Sequence, residues 1–324
     1  MELSIGYWIG FFVFVVVMLL LDLLVFHKKD EAIKVKSALY WSAFWIGLAL
    51  VFNVAIYLVS NQMWGKEIAS QKAMEFFTAY VIEKSLSVDN LFVFLMIFSF
   101  FTIGEKYQHR ILFWGIIGAI VMRALFIFAG VALIEKFTWV MYVFGAFLVY
   151  TGIHMLFKKE DEKDFNPDKN IVIRIFRKIM PVSNDTTETS FFVRKNNILY
   201  ATRFFIVLLL IEASDLIFAI DSIPAVLSIS KDPFIVYTSN IFAILGLRSL
   251  YFALNGVMQY FRYLKYALAF ILSFIGIKMC INEYSNEFGY TFHISTTTSL
   301  GVIAFALAIS IIASVIVSRK NLPI

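Results

Sequence analysis

The chain has 324 residues, of which 60% are apolar and 16% are charged, and its mean hydropathy is +0.81. Because soluble domains average about 45–50% apolar and about 25% charged residues, this composition excludes a soluble domain and predicts an all-α polytopic membrane protein. The net charge of +5 does not indicate nucleic-acid binding, since the basic residues lie in short segments between apolar runs.

In chain order, nine apolar segments are long enough to cross the hydrocarbon core, which takes about 20 helical residues. They span 6–26, 39–60, 74–103, 111–134, 138–157, 198–230, 238–255, 261–281 and 296–317. The third and sixth segments are over-long and carry acidic residues in their middle. The first segment lacks the basic start of a cleaved signal peptide and is followed by Lys28 and Lys29, so we predict an uncleaved helix with its N-terminus outside.

The loops between these segments differ strongly in positive charge. One alternating set of loops carries 19 lysines and arginines, and the other set carries 4. Because cytoplasmic loops are enriched in these residues, the first set is predicted to be cytoplasmic, together with the C-terminus. The long loop 158–197 mixes nine basic with seven acidic residues and is predicted to be a solvated linker, with a regulatory or docking role as the alternative.

Three features of the chain occur twice in the same order, which indicates an internal repeat. A segment with two acids six residues apart (Glu83 and Asp89, then Asp215 and Asp221) is followed by a segment with an arginine and by one that ends in Gly-Ile-x-Met. A tandem three-helix unit inserts upside down the second time, and such inverted repeats are common in secondary transporters. The predicted organisation is two N-terminal helices (1–73), the first repeat (74–157), a charged cytoplasmic loop (158–197), the second repeat (198–281) and a C-terminal helix with its tail (282–324).

Charged side chains lie in the middle of the two acidic segments and of their neighbours. An ionised side chain at that depth costs at least about 2.5 kcal/mol, so these side chains are expected to face a cavity or a partner. The acids are Glu83, Asp89, Glu212, Asp215 and Asp221, and the bases are Lys84, Arg123 and Arg248. The fully ionised layer has a net charge of −2, which favours a bound divalent cation or protons on some of the carboxyl groups.

The two acidic segments offer oxygen ligands only. Asn90 and Ser222 accompany the carboxylates, and neither segment contains a cysteine or a histidine. Such a set suits Mn²⁺, Ca²⁺ or Mg²⁺ and disfavours Zn²⁺ and Cu⁺. The serine-rich stretch 85–87 and the stretch 221–225, which contains Pro224, are predicted to interrupt their helices, and the freed carbonyls would add further ligands.

A structural network of acids and arginines that holds the helices together is the alternative to a metal site. Arg123 and Arg248 are expected to neutralise charge in either case, and Lys84 either pairs with Glu83 or snorkels. Outside the repeats, Asp22 is expected to snorkel or to cap its helix.

The other residues with reactive side chains do not indicate a further functional site. His154 is expected at the membrane interface and Cys280 as a buried or interfacial free thiol. Dinucleotide, phosphate-loop, zinc and CxxC fingerprints are absent from the sequence, so we expect neither a tightly bound cofactor nor enzyme activity.

Four stretches of the chain closely resemble the TerC family of bacterial integral membrane proteins, and within it the Alx branch. They are IEKSLSVDNLFVF (82–94), ATRFF (201–205), IEASDLIFAIDSIPAV (211–226) and SNIFAILGLRSLYF (239–252). The similarity covers nearly the whole chain, so the motif positions carry over residue by residue. The resemblance implies that the metal ligands are Glu83, Asp89, Asn90, Glu212, Asp215, Asp221 and Ser222.

This resemblance implies a multi-pass protein of the bacterial inner membrane, in the LysE-like transporter superfamily, that is linked to manganese efflux. The family name refers to tellurium resistance, and the Alx branch also carries a label as a redox modulator. The residues favour a cation, because a single cysteine provides no dithiol pair and an acid-rich midplane repels the tellurite oxyanion.

We therefore predict export of divalent cations, with Mn²⁺ as the cargo, Ca²⁺ left open and protons as the natural counter-ion. The alternative function is a membrane partner that delivers metal to, or stabilises, other membrane or secreted proteins, with membrane or secretion-machinery proteins as its own partners. Tellurium resistance and redox modulation belong to this alternative as well.

Overall fold

The computed structural model describes residues 4–26, 35–157, 171–183, 185, 188–255 and 263–320, and this part of the chain is almost entirely helical. The helices are α1 (Ile5–Phe26), α2 (Val35–Trp64), α3 (Lys66–Phe100), α4 (Glu105–Lys136), α5 (Val140–Phe157), α6 (Ile171–Ile179), α7 (Arg203–Leu227), α8 (Pro233–Leu245), α9 (Leu247–Asn255), α10 (Leu264–Phe288) and α11 (Thr296–Lys320). Strands β1 (Phe192–Lys195) and β2 (Ile198–Ala201) form an antiparallel hairpin between α6 and α7.

Six of the described helices are long and apolar enough to cross a membrane, namely α1, α2, α4, α5, α10 and α11. Helices α8 and α9 together qualify as a seventh span that bends by 40°. Helices α3 and α7 have 35 and 25 residues, but both carry charged residues in their middle. The fold is thus an all-α polytopic membrane protein, while the count of nine spans and the inverted repeat stay predictions.

The predicted interruptions of the two acidic helices are wrong, because α3 and α7 are both continuous. The Ser85 hydroxyl donates to the Val81 carbonyl at 2.6 Å, so it is satisfied without opening the helix. Pro224 lies in the last turn of α7, where a missing N–H removes a single helical bond close to the end. The break lies instead at Gly246, between α8 and α9.

Side-chain caps determine where two of the helices begin. The Thr202 side chain accepts a hydrogen bond from the Phe204 N–H at 3.2 Å, so α7 begins after the hairpin and not at residue 198 as predicted. The Asp232 carboxylate accepts from the Phe234 N–H at 3.0 Å, with Pro233 as the first helical residue of α8. These caps set the depth at which the side chains of α7 and α8 lie.

Helices α5 and α10 pack together almost backbone to backbone. A Cβ atom added at Gly152 would collide with the Ala269 carbonyl oxygen, and one added at Gly276 would collide with the Gly145 carbonyl oxygen. Only glycine permits so close an approach, which is typical of helix pairs in membranes. Helices α3, α4, α7 and α8 contact one another beside this pair and bury the charged residues between them.

The predicted solvated linker 158–197 contains regular structure in its described part. On α6, Ile173 is buried and the Phe176 ring lies 5.2 Å from the Phe205 ring at the start of α7. The Phe192 ring of the hairpin lies 4.6 Å from the same Phe205 ring. The loop is therefore anchored to one end of α7, which its mixed charge did not indicate.

Candidate functional site

The two acidic helices place a carboxylate at their midpoints. Glu83 lies seventeen residues from each end of α3, and Asp215 lies twelve residues from each end of α7. Arg123 is near the middle of α4, between them. These three of the predicted charged residues lie near the middle of their helices, and Arg123 contacts both carboxylates.

Arg123 is the centre of these contacts, and its side chain is only 1% exposed. Its Nη1 atom forms an ion pair with Glu83 and donates to Ser222 Oγ at 3.2 Å and to Asn240 Oδ1 at 2.9 Å. Its Nε and Nη2 atoms donate to the two carboxylate oxygens of Asp215 at 3.3 and 3.2 Å. Such bidentate geometry matches the planar guanidinium fork.

Two amide side chains complete this set. Asn240 Nδ2 donates to Glu83 Oε2 at 3.0 Å, and Asn90 Nδ2 donates to Asp215 Oδ1 at 3.4 Å. The six residues are called the Arg123 network below, and all six are buried. They are Glu83, Asn90, Arg123, Asp215, Ser222 and Asn240. The network joins α3, α4, α7 and α8, and its two carboxylates and one guanidinium have a net charge of −1 when all are ionised.

The other predicted acidic ligands lie apart from the Arg123 network. The Glu212 carboxylate lies against Gly118 on α4, where any added Cβ atom would collide with it. Asp221 faces α5, where its carboxylate accepts a hydrogen bond from Thr151 Oγ1 at 3.3 Å. The side chain of Asp89 lies outside the described part of the chain. Within the described residues, no three His, Cys, Asp or Glu side chains form a group that would hold a metal ion.

Lys84 takes neither of its predicted positions. Its ammonium group donates to the Ala243 carbonyl at 3.2 Å and lies next to Gly246, where a Cβ atom would be 2.6 Å from Nζ. The break after α8 ends its regular hydrogen bonding, and a cation near the last carbonyls interacts favourably with the helix dipole. Lys84 therefore stabilises the broken end of α8.

Arg248 and Asp22 form a second buried ion pair, which overturns the prediction that Asp22 snorkels or caps. Arg248 Nη2 also donates to the Asp22 backbone oxygen at 3.2 Å. The pair ties α1 to α9. Arg248 and Asp215 both line an apolar pocket whose wall includes Phe94 and Leu112.

A third group of polar contacts, absent from our predictions, joins the start of α3 to the turn between α7 and α8. Lys72 forms an ion pair with Asp232. The Glu75 carboxylate accepts hydrogen bonds from Gln71 Nε2 at 2.8 Å and from Ser230 Oγ at 2.6 Å. These five residues are called the α3 clamp below. In the predicted topology this end of the bundle lies outside.

Helix α10 extends the α3 clamp. Lys278 is only 2% exposed and interacts electrostatically with Glu75, and Lys231 in the turn forms an ion pair with Glu283 at 3.5 Å. His154, which aligns with Lys278 in the predicted repeat, is exposed. The two aligned positions thus have different roles.

Asn240 is the network residue that sequence reasoning missed. It is the third residue of the predicted segment 238–255 but lies near the middle of α8, so only the structure places this amide among the charged residues. The Asp22–Arg248 pair gave no signal in the sequence, because the two residues are 226 positions apart in the chain.

Comparison with known proteins identifies the same family over most of the chain. The family model described as the integral membrane protein TerC family matches residues 68–322. A protein of Escherichia coli with the name membrane-bound redox modulator Alx is 46% identical over 315 residues, which cover 97% of this chain and 95% of the relative.

Two uncharacterised membrane proteins are similarly close. STKORF319 of Myxococcus xanthus is 46% identical over 314 residues, which cover 97% of this chain and 93% of the relative. A protein of Rickettsia bellii is 42% identical over 313 residues, which cover 97% and 99%. No solved structure matches the chain.

Proposed function

Because the chain belongs to the TerC family of integral membrane proteins, we propose that it exports divalent metal cations, with Mn²⁺ as the cargo, across the bacterial inner membrane. Protons are the proposed counter-ion. The proposed ligands are Glu83, Asp89, Asn90, Glu212, Asp215, Asp221 and Ser222, with Arg123, Arg248 and Lys84 as supporting charges.

The Arg123 network is the observation that carries this proposal. It gathers the oxygen atoms of two carboxylates, a hydroxyl and an amide around one buried cationic group. Oxygen ligands of this kind suit a hard divalent ion. In this conformation the Arg123 guanidinium holds the place that a cation would take, so cargo binding requires Arg123 to leave at least one of Glu83 and Asp215.

Alternating access is the proposed mechanism. The α5–α10 contact supports the inverted repeat. A shift of 124 residues takes Gly152 to Gly276 and Gly145 to Ala269. The Gly152–Ala269 contact and the Gly276–Gly145 contact are therefore equivalent under the repeat. Mutual exchange of this kind is typical of a two-fold interface. The α3 clamp holds α3 of the first repeat to the α7–α8 turn of the second, as a closed outer end would require.

Conservative substitutions in the two acidic motifs test the proposal. We expect Asp89→Asn, Asp215→Asn and Asp221→Asn each to abolish Mn²⁺ export, because each removes a ligand charge at nearly unchanged size. Glu135→Gln, at an exposed carboxylate on α4, is the matched control and is expected to export like the parent. The measurement is cellular manganese in a host without its own exporters, with immunoblots of the membrane fraction. Export at the parent level by all three motif variants would show that these carboxylates are structural.

The relatives named as redox modulators suggest a second function, but the cysteine content does not favour it. Dithiol exchange needs two cysteines, and this chain has only Cys280, whose Sγ lies 3.9 Å from the Tyr142 carbonyl oxygen. We expect Cys280→Ser to leave metal export unchanged at normal protein abundance. Loss of export in this variant would favour a redox role.

A metal-delivery partner is the other alternative, and purified protein distinguishes it from a carrier. Vesicles that contain only this protein are expected to take up Mn²⁺, as reported by an internal dye. A delivery partner would move no ion without its client protein.

A further inference from the structure

A groove between α1, α2 and α8 has apolar walls and ends at an ion pair. Its polar end is the Lys72–Asp232 pair of the α3 clamp. It is called the α2 groove below, and its cavity has a volume of about 90 Å³. The apolar side chains along its walls are Phe52, Ala55, Ile56 and Val59 on α2 and Phe234 and Ile235 on α8. The α2 groove therefore changes from charged to apolar along its length.

The charged end of the α2 groove lies at the membrane interface. Tyr7, in the first turn of α1, and Trp64, the last residue of α2, both line the groove, and the Tyr7 hydroxyl donates to Met63 Sδ at 3.7 Å. Tyrosine and tryptophan are enriched where a membrane meets water. Asp232 caps the start of α8, so the ion pair is also close to helix ends.

The apolar part of the groove extends towards the middle of the membrane. Phe52 precedes Trp64 by twelve residues on the continuous helix α2, which corresponds to about 18 Å along its axis. Half the hydrocarbon core is about 15 Å thick. The groove thus has about the depth that one acyl chain occupies below its headgroup. Ala55 and Tyr7 on its rim are exposed, so a lipid can enter from the side.

The ion pair itself has unused capacity for hydrogen bonds. Lys72 Nζ contacts Asp232 Oδ2, and Asp232 Oδ1 accepts from the Phe234 N–H at 3.0 Å. An ammonium group has three N–H donors, and a carboxylate has about four acceptor positions. The two side chains are 16% and 12% exposed, so both reach the groove. A zwitterionic headgroup can place its anion on Lys72 and its cation on Asp232 while the direct pair is kept.

We propose that the α2 groove binds one phospholipid with an ethanolamine headgroup. The lipid phosphate accepts from Lys72, the primary ammonium donates to Asp232, and one acyl chain lies along the α2 wall. Charge-assisted hydrogen bonds of this kind are strong, and each is expected to favour binding by about tenfold. A helix of a second copy of this chain, about 10 Å across, is too wide for so small a cavity.

Competition between three lipids tests this proposal on the full chain. The purified protein in detergent is mixed with equal amounts of phosphatidylethanolamine, phosphatidylcholine and phosphatidylglycerol that have the same acyl chains. Native mass spectrometry then counts the lipids that stay bound. We expect one phosphatidylethanolamine, retained about tenfold more than either competitor, because the choline headgroup has no N–H donor and the glycerol headgroup has no cation.

Two substitutions test the charged end of the groove. Lys72→Gln and Asp232→Asn are each expected to reduce the retention of phosphatidylethanolamine about tenfold. Asparagine is as good an N-cap as aspartate, so Asp232→Asn keeps the start of α8. Lys136→Gln, at an exposed lysine in the last turn of α4, is the matched control and is expected to bind like the parent.

A third substitution fills the apolar part and leaves both charges in place. We expect Ala55→Phe to prevent binding, because its ring takes the space of the acyl chain. Ala55 is exposed, so the fold tolerates the larger side chain, and this variant tests the site even where a charge variant does not fold. Val54→Phe, at the neighbouring position that is 57% exposed, is the control.

Three results would overturn the proposal. Equal retention of the three lipids would show that the groove does not recognise the headgroup. A preference for phosphatidylglycerol that Asp232→Asn leaves unchanged would mean that Lys72 alone binds an anionic lipid. Unchanged binding in Ala55→Phe would place the lipid elsewhere. The inference does not rest on metal export and no transport is measured, so failure here leaves the proposed function untouched.

Discussion

Arg123 connects the elements at the middle of the bundle because one guanidinium serves two carboxylates from different helices. Its bidentate contact with Asp215 ties α4 to α7, and its ion pair with Glu83 ties α4 to α3. A lysine would keep the charge but not the planar fork, so the two residues are not interchangeable here. The network holds the helices together, and its oxygen atoms are ligands of the kind that a divalent cation would bind.

We expect Arg123→Gln to destabilise the purified protein by about 3–5 kcal/mol, because two buried carboxylates lose their counter-charge. We further expect Mn²⁺ to raise the unfolding temperature of Arg123→Gln more than that of the parent, since a cation that binds only the folded state stabilises it. The measurement is thermal unfolding in detergent with and without Mn²⁺, and Glu135→Gln is the control. Equal shifts in parent and variant would contradict the idea that Arg123 holds the place of the cation.

Pairs of helices meet in two different ways in this bundle. Helices α5 and α10 contact each other through glycines, so their separation is set by backbone atoms. Helices α8 and α9 are separated at Gly246, where Trp45 and the Lys84 ammonium occupy the space that a side chain would need. The first pair resists change, whereas the second already has a bend and is the better site for the movement that the proposed transport would require.

Glycine substitutions test the rigid pair. We expect Gly152→Ala and Gly276→Ala each to destabilise the protein by about 1–3 kcal/mol, because an added methyl group overpacks a backbone contact. Gly301→Ala on α11 is the matched control, since a Cβ atom there has no neighbour within 4 Å. The measurement is thermal unfolding of the purified variants. Unchanged stability at both positions would mean that α5 and α10 do not touch as described.

The whole molecule combines apolar outer helices with two charged inner ones. Six helices of the described chain, or seven with the bent pair, meet the requirements of a membrane span. Helices α3 and α7 bury their charged faces against α4 and α8, so lipid need not solvate those charges. The predicted nine spans, with termini on opposite sides, require α3 and α7 to cross the membrane as well, and this count stays a prediction.

Reporter fusions test this topology. A reporter after Ile324 is expected to read as cytoplasmic, and one at Glu2 as periplasmic, because the loops on the predicted cytoplasmic side carry 19 of the basic residues against 4 on the other side. The measurement is paired phosphatase and fluorescent-protein activity at each terminus. Both termini on one side would contradict the nine spans and the inverted repeat together.

Composition and hydropathy were sufficient to determine the class of this protein and most of its helices. The class and the helices both depend on local properties, since a long apolar helix satisfies its backbone hydrogen bonds within itself wherever it lies in the bilayer. The motif residues Glu83, Asn90, Asp215 and Ser222 were also identifiable from the sequence, because polar side chains at mid-depth are costly without partners.

Only the tertiary structure decided which partners those side chains take. Arg123 and Arg248 look equivalent in the sequence, yet Arg123 binds two carboxylates of the acidic motifs and Arg248 binds Asp22 on α1. The helix break lies at Gly246 and not at the serines or Pro224, because packing against Trp45 and Lys84 favours a bend there. These outcomes depend on contacts between residues 40 to 226 positions apart, and no local pattern in the chain records them.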